Sequence, residues 1–199
     1  MRPVTGAILA GGRATRFGGR PKGLERVGGT RIIDRVADAL RAVTPETMLV
    51  ANAPDAAAWL AGTRVVPDVH RDCGSLAALH AALAHADSPV LVVAWDMPFV
   101  SPALLATILD AARADVDAVL PSGAHGPEPL CAWYAPTCLG VAERLLGAGE
   151  RRARALGWAV NAVHVDLTTH PTLGDPGTML LSVNTPGDLA RANALARTI

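Results

Sequence analysis

Short, unbroken apolar runs alternate along this chain with alanine-rich stretches, and that alternation constrains the fold more than any other feature. The apolar runs are Val4–Ala10, Thr47–Ala51, Thr63–Pro67, Val90–Ala94, Ala118–Pro121 and Val160–Asp166. Between and after them come Arg31–Ala42, Asp55–Leu60, Ser75–Ala86, Pro102–Ala114, Thr137–Leu146, Arg151–Leu156 and Pro186–Ala196. Runs that are apolar at every position, not at every second one, read as strands buried on both faces. Alanine-rich stretches have high helix propensity, and their small side chains let a helix approach a sheet closely. Strands alternating with helices imply a parallel sheet covered on both faces. The expected fold class is therefore α/β, a single Rossmann-like three-layer domain over residues 1–199 with a mostly parallel sheet. Leu173–Thr178, which contains Gly174, Pro176 and Gly177, is expected to be a loop before a last short strand. No internal repeat, low-complexity tract or linker interrupts this organisation.

Composition narrows the partners. Half of the residues are hydrophobic, enough for a sizeable core, and the formal net charge is zero. A neutral chain has no electrostatic reason to bind nucleic acid or an anionic membrane, and neither is expected as a partner. No segment approaches the roughly 20 apolar residues that span a bilayer. The N-terminal region does not read as a signal peptide, so a cytoplasmic location is expected. Cys73, Cys131 and Cys138 are too few and too scattered for a disulfide framework or a zinc knuckle. The histidines at 70, 80, 85, 125, 164 and 170 show no metal-ligand spacing. Trp95, Trp133 and Tyr134 are expected to pack in the core.

Chemistry concentrates behind the first strand. Ala7-Ile8-Leu9-Ala10 stops at Gly11-Gly12, and Arg13, Arg16, Gly18, Gly19, Arg20 and Lys22 follow within a few residues. Glycines let backbone N–H groups approach a ligand that a Cβ would exclude, and clustered cations favour an anion, so this is a polyphosphate site. It is neither a P-loop nor a dinucleotide fingerprint, since Lys22 is followed by Gly23 and the first glycines are adjacent. In open α/β sheets ligands bind beyond the carboxyl ends of the strands. Gly11, Asn52, Asp68 and Asp96 each fall at or just after such an end. Asp96 can hold Mg²⁺ while phosphates complete the coordination shell; Ser101-Pro102 is better placed to cap the helix that follows. Arg16 and Lys22 can neutralise charge on the phosphates. The Asn52 amide suits a base edge or a ribose but also fits ordinary turn chemistry. Asp68 can accept hydrogen bonds from the N1–H and amino group of a guanine, or start a turn. Asn184-Thr185-Pro186 is a helix start with proline in the first turn.

These residues carry a family resemblance that spans nearly the whole chain. Leu9-Ala10-Gly11-Gly12 with Arg16, Phe17, Gly18-Gly19 and Lys22 resembles the signature loop of the molybdenum cofactor guanylyltransferase family of nucleotidyltransferases. Pro67-Asp68 with Gly74-Ser75-Leu76-Ala77-Ala78-Leu79 is similar to its Asp…Gly-Pro-Leu-Ala-Gly segment, and Trp95-Asp96-Met97-Pro98 to its Asp-Met-Pro box. Glu128-Pro129-Leu130 through Tyr134 and Asn184-Thr185-Pro186-Gly187-Asp188-Leu189 are similar to two further segments. The resemblance implies the nucleotide-diphospho-sugar transferase type of fold, catalytic roles for Arg16, Lys22 and Asp96, and nucleotide contacts from Leu9, Ala10, Gly11, Gly12, Lys22, Asn52, Asp68 and Asp96. It implies Mg²⁺ held by Asp96 with Asn184 as second ligand, GTP and molybdopterin as substrates, and molybdoenzymes or their chaperones as candidate recipients of the product. Gly11 matches the guanylyl rather than the cytidylyl form of the loop. A cytidylyltransferase acting on molybdopterin, a nucleotidyltransferase for another phosphorylated small molecule, and a non-catalytic nucleotide or pterin delivery protein are the alternatives. Trp95, Ser75, Ala78 and Glu128 depart from the family pattern.

Overall fold

The structure, a computed structural model, describes residues 3–10, 21–70 and 73–198. Gly11, Gly12 and Arg16, together with Arg13 and Arg20, lie outside the described residues. Strand β1 (Thr5–Leu9) leads to a short antiparallel pair, β2 (Arg26–Val27) and β3 (Thr30–Arg31), and then to helix α1 (Ile32–Arg41). Strands β4 (Glu46–Val50) and β5 (Arg64–Val66) precede α2 (Gly74–Ala84), β6 (Val90–Ala94) and α3 (Pro102–Asp110). The second half comprises β7 (Ala118–Gly123), β8 (Gly126–Pro127), β9 (Cys131–Tyr134), α4 (Cys138–Gly147), α5 (Arg154–Ala159), β10 (Ala162–Asp166), α6 (Pro176–Met179) and α7 (Pro186–Leu195).

The sheet runs in the order β10-β7-β9-β6-β1-β4-β5, with β8 attached to β7. β1 pairs in parallel with β4 and β6, β4 with β5, and β7 with β10. Every residue of β1 and β6 is buried, as strands covered on both faces require. Because side chains alternate along a strand, β1 feeds two cores. Ile8 joins Ile33, Val36, Leu40, Leu104 and Ile108 from α1 and α3, while Ala7 and Leu9 join Leu76, Leu79, Leu83 and Leu156 from α2 and α5. The three-layer, mostly parallel arrangement expected from the alternation is thus present.

Three local expectations need correction. Cys131–Tyr134 is strand β9, antiparallel to both β6 and β7. The chain reaches it from β7 through the tight β8 turn, without a crossover of the kind that a parallel neighbour needs. Asp55–Leu60 holds only a 3-10 turn at Ala56–Ala58, after which Trp59 and Leu60 turn into the core. Among the described residues no final strand follows Leu173–Thr178; α6 occupies that place, because Asp175 accepts hydrogen bonds from the Thr178 N–H (2.7 Å) and hydroxyl (2.8 Å) with Pro176 in the first turn. Trp95, Trp133 and Tyr134 are buried as expected.

Candidate active site

Register brings the strand ends to one rim. Leu9 lies opposite Val50 on one side and Ala94 on the other, and Val50 lies opposite Val66. The ladder continues one residue further through Ala10 N–H to Val50 O (2.9 Å), Ala51 N–H to Val66 O (3.0 Å) and Trp95 N–H to Leu9 O (3.2 Å). Residues just beyond therefore emerge side by side, which places Asp96 over β6, Asn52 over β4 and Asp68 over β5.

Asp96 is nearly buried, and its main-chain oxygen accepts the Val183 N–H at 2.8 Å. That bond draws Val183-Asn184, from the far end of the chain, onto the rim. The Asn184 N–H is in turn held by Asp188 Oδ2 at 3.0 Å, within the capping box that opens α7. Lys22 begins a 3-10 turn that starts from Pro21. Its ammonium donates to Asp96 Oδ2 and to Asn184 Oδ1, the latter at 2.7 Å. Lys22, Asp96 and Asn184 meet at one point.

Two oxygen donors facing one ammonium define a position suited to a cation. A carboxylate and an amide oxygen are the hard donors that Mg²⁺ and Mn²⁺ prefer, and such ions keep most of their shell for phosphate and water. No group of three or more His, Cys, Asp or Glu side chains that could hold a metal occurs among the described residues. The residues present thus fit an ion bound by Asp96 and Asn184 together with a phosphate substrate, and not a closed structural metal site.

The second cluster lies across β1. Asn52 Oδ1 accepts the Asp68 N–H at 2.8 Å, locking the ends of β4 and β5 together. Asp68 Oδ1 is buried without a hydrogen-bond partner among the described residues, and burial pushes the carboxyl up to about 6 despite the opposing pull of His70. A buried acceptor lacking a donor costs about 1–3 kcal/mol. Neighbouring strands stand about 4.8 Å apart, so β6 and β5 are separated by roughly 14 Å.

The MobA-like NTP transferase domain profile matches residues 6–162. The chain belongs to the MobA-like NTP transferase family. It is 36% identical over 199 residues to the molybdenum cofactor guanylyltransferase of Desulfosudis oleivorans, covering 98% of this chain and 96% of that protein. Molybdopterin-guanine dinucleotide biosynthesis protein A from Archaeoglobus fulgidus shares the fold with a TM-score of 0.82 at 29% identity, covering 98% of this chain and all of that one. Rv0371c of Mycobacterium tuberculosis, solved as a complex with manganese, aligns with a TM-score of 0.69 at 25% identity over 96% of this chain and 98% of its own.

Within this MobA-like frame the departures from the family pattern acquire places. The Trp95 indole turns into the core, stacking on Trp59 at 5.1 Å between ring centres. Ser75 Oγ accepts the Ala153 N–H at 2.9 Å and so ties α2 to the segment that enters α5. Glu128, singled out by the sequence only as a departure, belongs to the neighbourhood of Asp96. Burial raises its carboxyl pKa, the Leu130 N–H bonded to Oε1 at 2.9 Å works against this, and the charge of Asp96 adds to it. Leu130 O accepts the Ala94 N–H at 2.7 Å, which pins the Glu128 segment to the end of β6.

Proposed function

We propose that this protein transfers GMP from GTP to the terminal phosphate of molybdopterin, forming molybdopterin guanine dinucleotide and pyrophosphate. The observation that carries the reading is the meeting of the Lys22 ammonium, the Asp96 carboxylate and the Asn184 amide oxygen at the rim, in a chain of the MobA-like family. A terminal phosphate oxygen of the acceptor attacks the α-phosphorus of GTP, a new P–O–P bridge forms, and the bond to the β-phosphate breaks. No protein nucleophile is needed, because the attacking group is already anionic. The work of the protein is alignment and neutralisation of charge.

Lys22 supplies a positive charge that can pass from Asp96 and Asn184 to the phosphates. Arg16, in the glycine-rich loop with Gly11 and Gly12, supplies a second. Asp96 and Asn184 hold Mg²⁺, which when bound contributes charge neutralisation at the α-phosphate and the leaving group. Asp68, whose Oδ1 has no partner among the described residues, accepts from the N1–H and amino group of guanine, and Asn52 fixes the Asp68 backbone for that contact. Leu9 and Ala10 end the strand against which the nucleotide lies. The whole chain, residues 1–199, acts as one nucleotidyltransferase domain in the cytoplasm and passes its product to molybdoenzymes or their chaperones. No helix among the described residues is long and apolar enough to cross a membrane.

The test is pyrophosphate release by the purified protein with Mg²⁺ and molybdopterin, offered GTP, CTP, ATP or UTP. Turnover confined to GTP is expected. Turnover confined to CTP would move the protein to the cytidylyl branch, and binding without any turnover would make it a delivery protein.

A further inference from the structure

Lys22 and Asp96 each have a chain neighbour that packs on the other's. Gly23, next to Lys22, is buried against the indole of Trp95, next to Asp96. A Cβ added to Gly23 would lie 2.4 Å from Cε3 and 2.6 Å from Cδ2 of that ring. The main chain beside Lys22 therefore rests on the benzo half of the indole, with no room for any side chain between them.

The ring that Gly23 rests on is itself fixed. Trp95 is 3% exposed and stacks on Trp59 with 22° between the ring planes. Trp59 is held through Nε1–H to Asp55 Oδ2 (3.1 Å) and through its carbonyl, which accepts from Arg31 Nη2 (3.0 Å). On the other side, the turn that carries Lys22 is closed by Leu24 N–H to Pro21 O (3.0 Å) and leads through Glu25 O to the first N–H of α1 (2.9 Å). The Trp95 Nε1–H is buried without an acceptor among the described residues.

We propose that Trp95 is the positioning residue of the site: its indole, backed by Trp59, sets the height of the Gly23 backbone and thereby places the Lys22 ammonium where it reaches Asp96 and Asn184. This rests on the transferase reading only for its kinetic consequences; the placement itself can be read without turnover. An enzyme in which the reacting groups are misplaced by about 1 Å can lose on the order of 10²-fold in rate.

The experiment is a cycle of Gly23→Ala, Trp95→Ala and the double variant, with Trp95→Phe alongside and thermal melts on all. Gly23 is outside the left-handed backbone region, so alanine there meets only the ring. Gly23→Ala is expected to lower kcat by about 10²-fold with the KM for GTP little changed, because the base contacts lie across β1. Trp95→Ala is expected to lower kcat as well, and the double variant to be more active than Gly23→Ala alone, since the added methyl enters the space the indole leaves. Trp95→Phe is expected to retain most of the wild-type kcat. Strictly additive losses, or a loss confined to KM, would overturn the proposal. Should Trp95→Ala fail to fold, Gly23→Ala and Trp95→Phe still decide it.

The second readout needs no substrate. The rate of reductive methylation of Lys22, followed by mass spectrometry, is expected to rise in Gly23→Ala and Trp95→Ala. It is expected to return toward wild type in the double variant and in Trp95→Phe. An unchanged rate across the set would overturn the proposal. A wild-type protein that turns over no nucleotide while Lys22 labelling follows the cycle would sink the transferase reading and leave the positioning role standing.

Discussion

Asp68 holds a carboxylate oxygen that is buried and has no donor among the described residues, and burial pushes its pKa up to about 6 where 3.8 is usual. The folded state therefore favours the neutral form. Stability linked to this group is fully present below the ordinary value and is lost as pH rises from about 4 through about 6. A ligand that donates two hydrogen bonds reverses that preference, because it binds the ionised form. GTP affinity is thus expected to rise with pH through about 6 and then level off, and Asp68→Asn is expected to weaken binding by about 1–3 kcal/mol and flatten the profile. Calorimetric titration between pH 5 and pH 8 checks both; an affinity independent of pH would remove Asp68 from the base contact. Lys22 permits a second forecast. Its ammonium donates to the two oxygens assigned to the metal, so Lys22→Met should bind Mn²⁺ more tightly in the absence of nucleotide while losing transfer. Titration of the Mn²⁺ paramagnetic signal reads this directly, and weaker binding would show that ammonium and metal do not share the position. That Asp68 and Asp96 stand at strand ends was legible in the sequence because each follows an apolar run, whereas Asn184 read only as a helix start and was drawn to the site by the family resemblance. The packing of Gly23 on Trp95 was not legible, since a contact between an α-carbon and a ring far along the chain leaves no periodic trace.

Helix α7 shows how an element places a side chain that it does not contain. Thr185 Oγ1 accepts the Asp188 N–H at 3.1 Å, while Asp188 Oδ2 accepts from the N–H groups of Thr185 (2.8 Å) and Asn184 (3.0 Å). Burial opposes ionisation of Asp188, but these hydrogen bonds prevail and hold its carboxyl below the usual value. Replacing Thr185 by alanine should cost about 1 kcal/mol of stability with little effect on rate. Asp188→Ala should cost a similar amount and also reduce kcat, since it frees the Asn184 backbone. Denaturant unfolding and turnover measured on the same preparations separate the two effects; equal kcat in both variants would contradict the coupling. The parallel strands and the longer helices were legible because apolar runs and alanine-rich stretches differ in period and length. β9 was passed over because Cys131–Tyr134 is short and follows a tight turn. The start of α6 was legible in principle: Asp175-Pro176 is a cap followed by proline in the first turn, yet the neighbouring glycines favoured a loop.

At the scale of the whole molecule, the parallel register of β6, β1, β4 and β5 turns residues from four distant segments into one rim. The antiparallel β9 extends the sheet beyond β6 and delivers Glu128 beside Asp96. Neither the neutral overall charge nor the composition signals this site; its charge is local, with the Lys22 ammonium set, among the described residues, against the Asp96 carboxylate and the Asn184 amide oxygen. The general position of the rim could be inferred from strand ends alone, whereas the side-by-side order of its residues required the strand order, which no single segment encodes. Transfer of a nucleotidyl group at this rim is tested by GTP labelled at the α-phosphorus, incubated with molybdopterin and Mg²⁺, with wild type and Asp96→Asn compared. Label is expected to enter the pterin product, one pyrophosphate appearing for each transfer, and the variant to lose this by about 10²-fold or more. Label that remains in GTP, or that appears as free GMP or GDP, would contradict it.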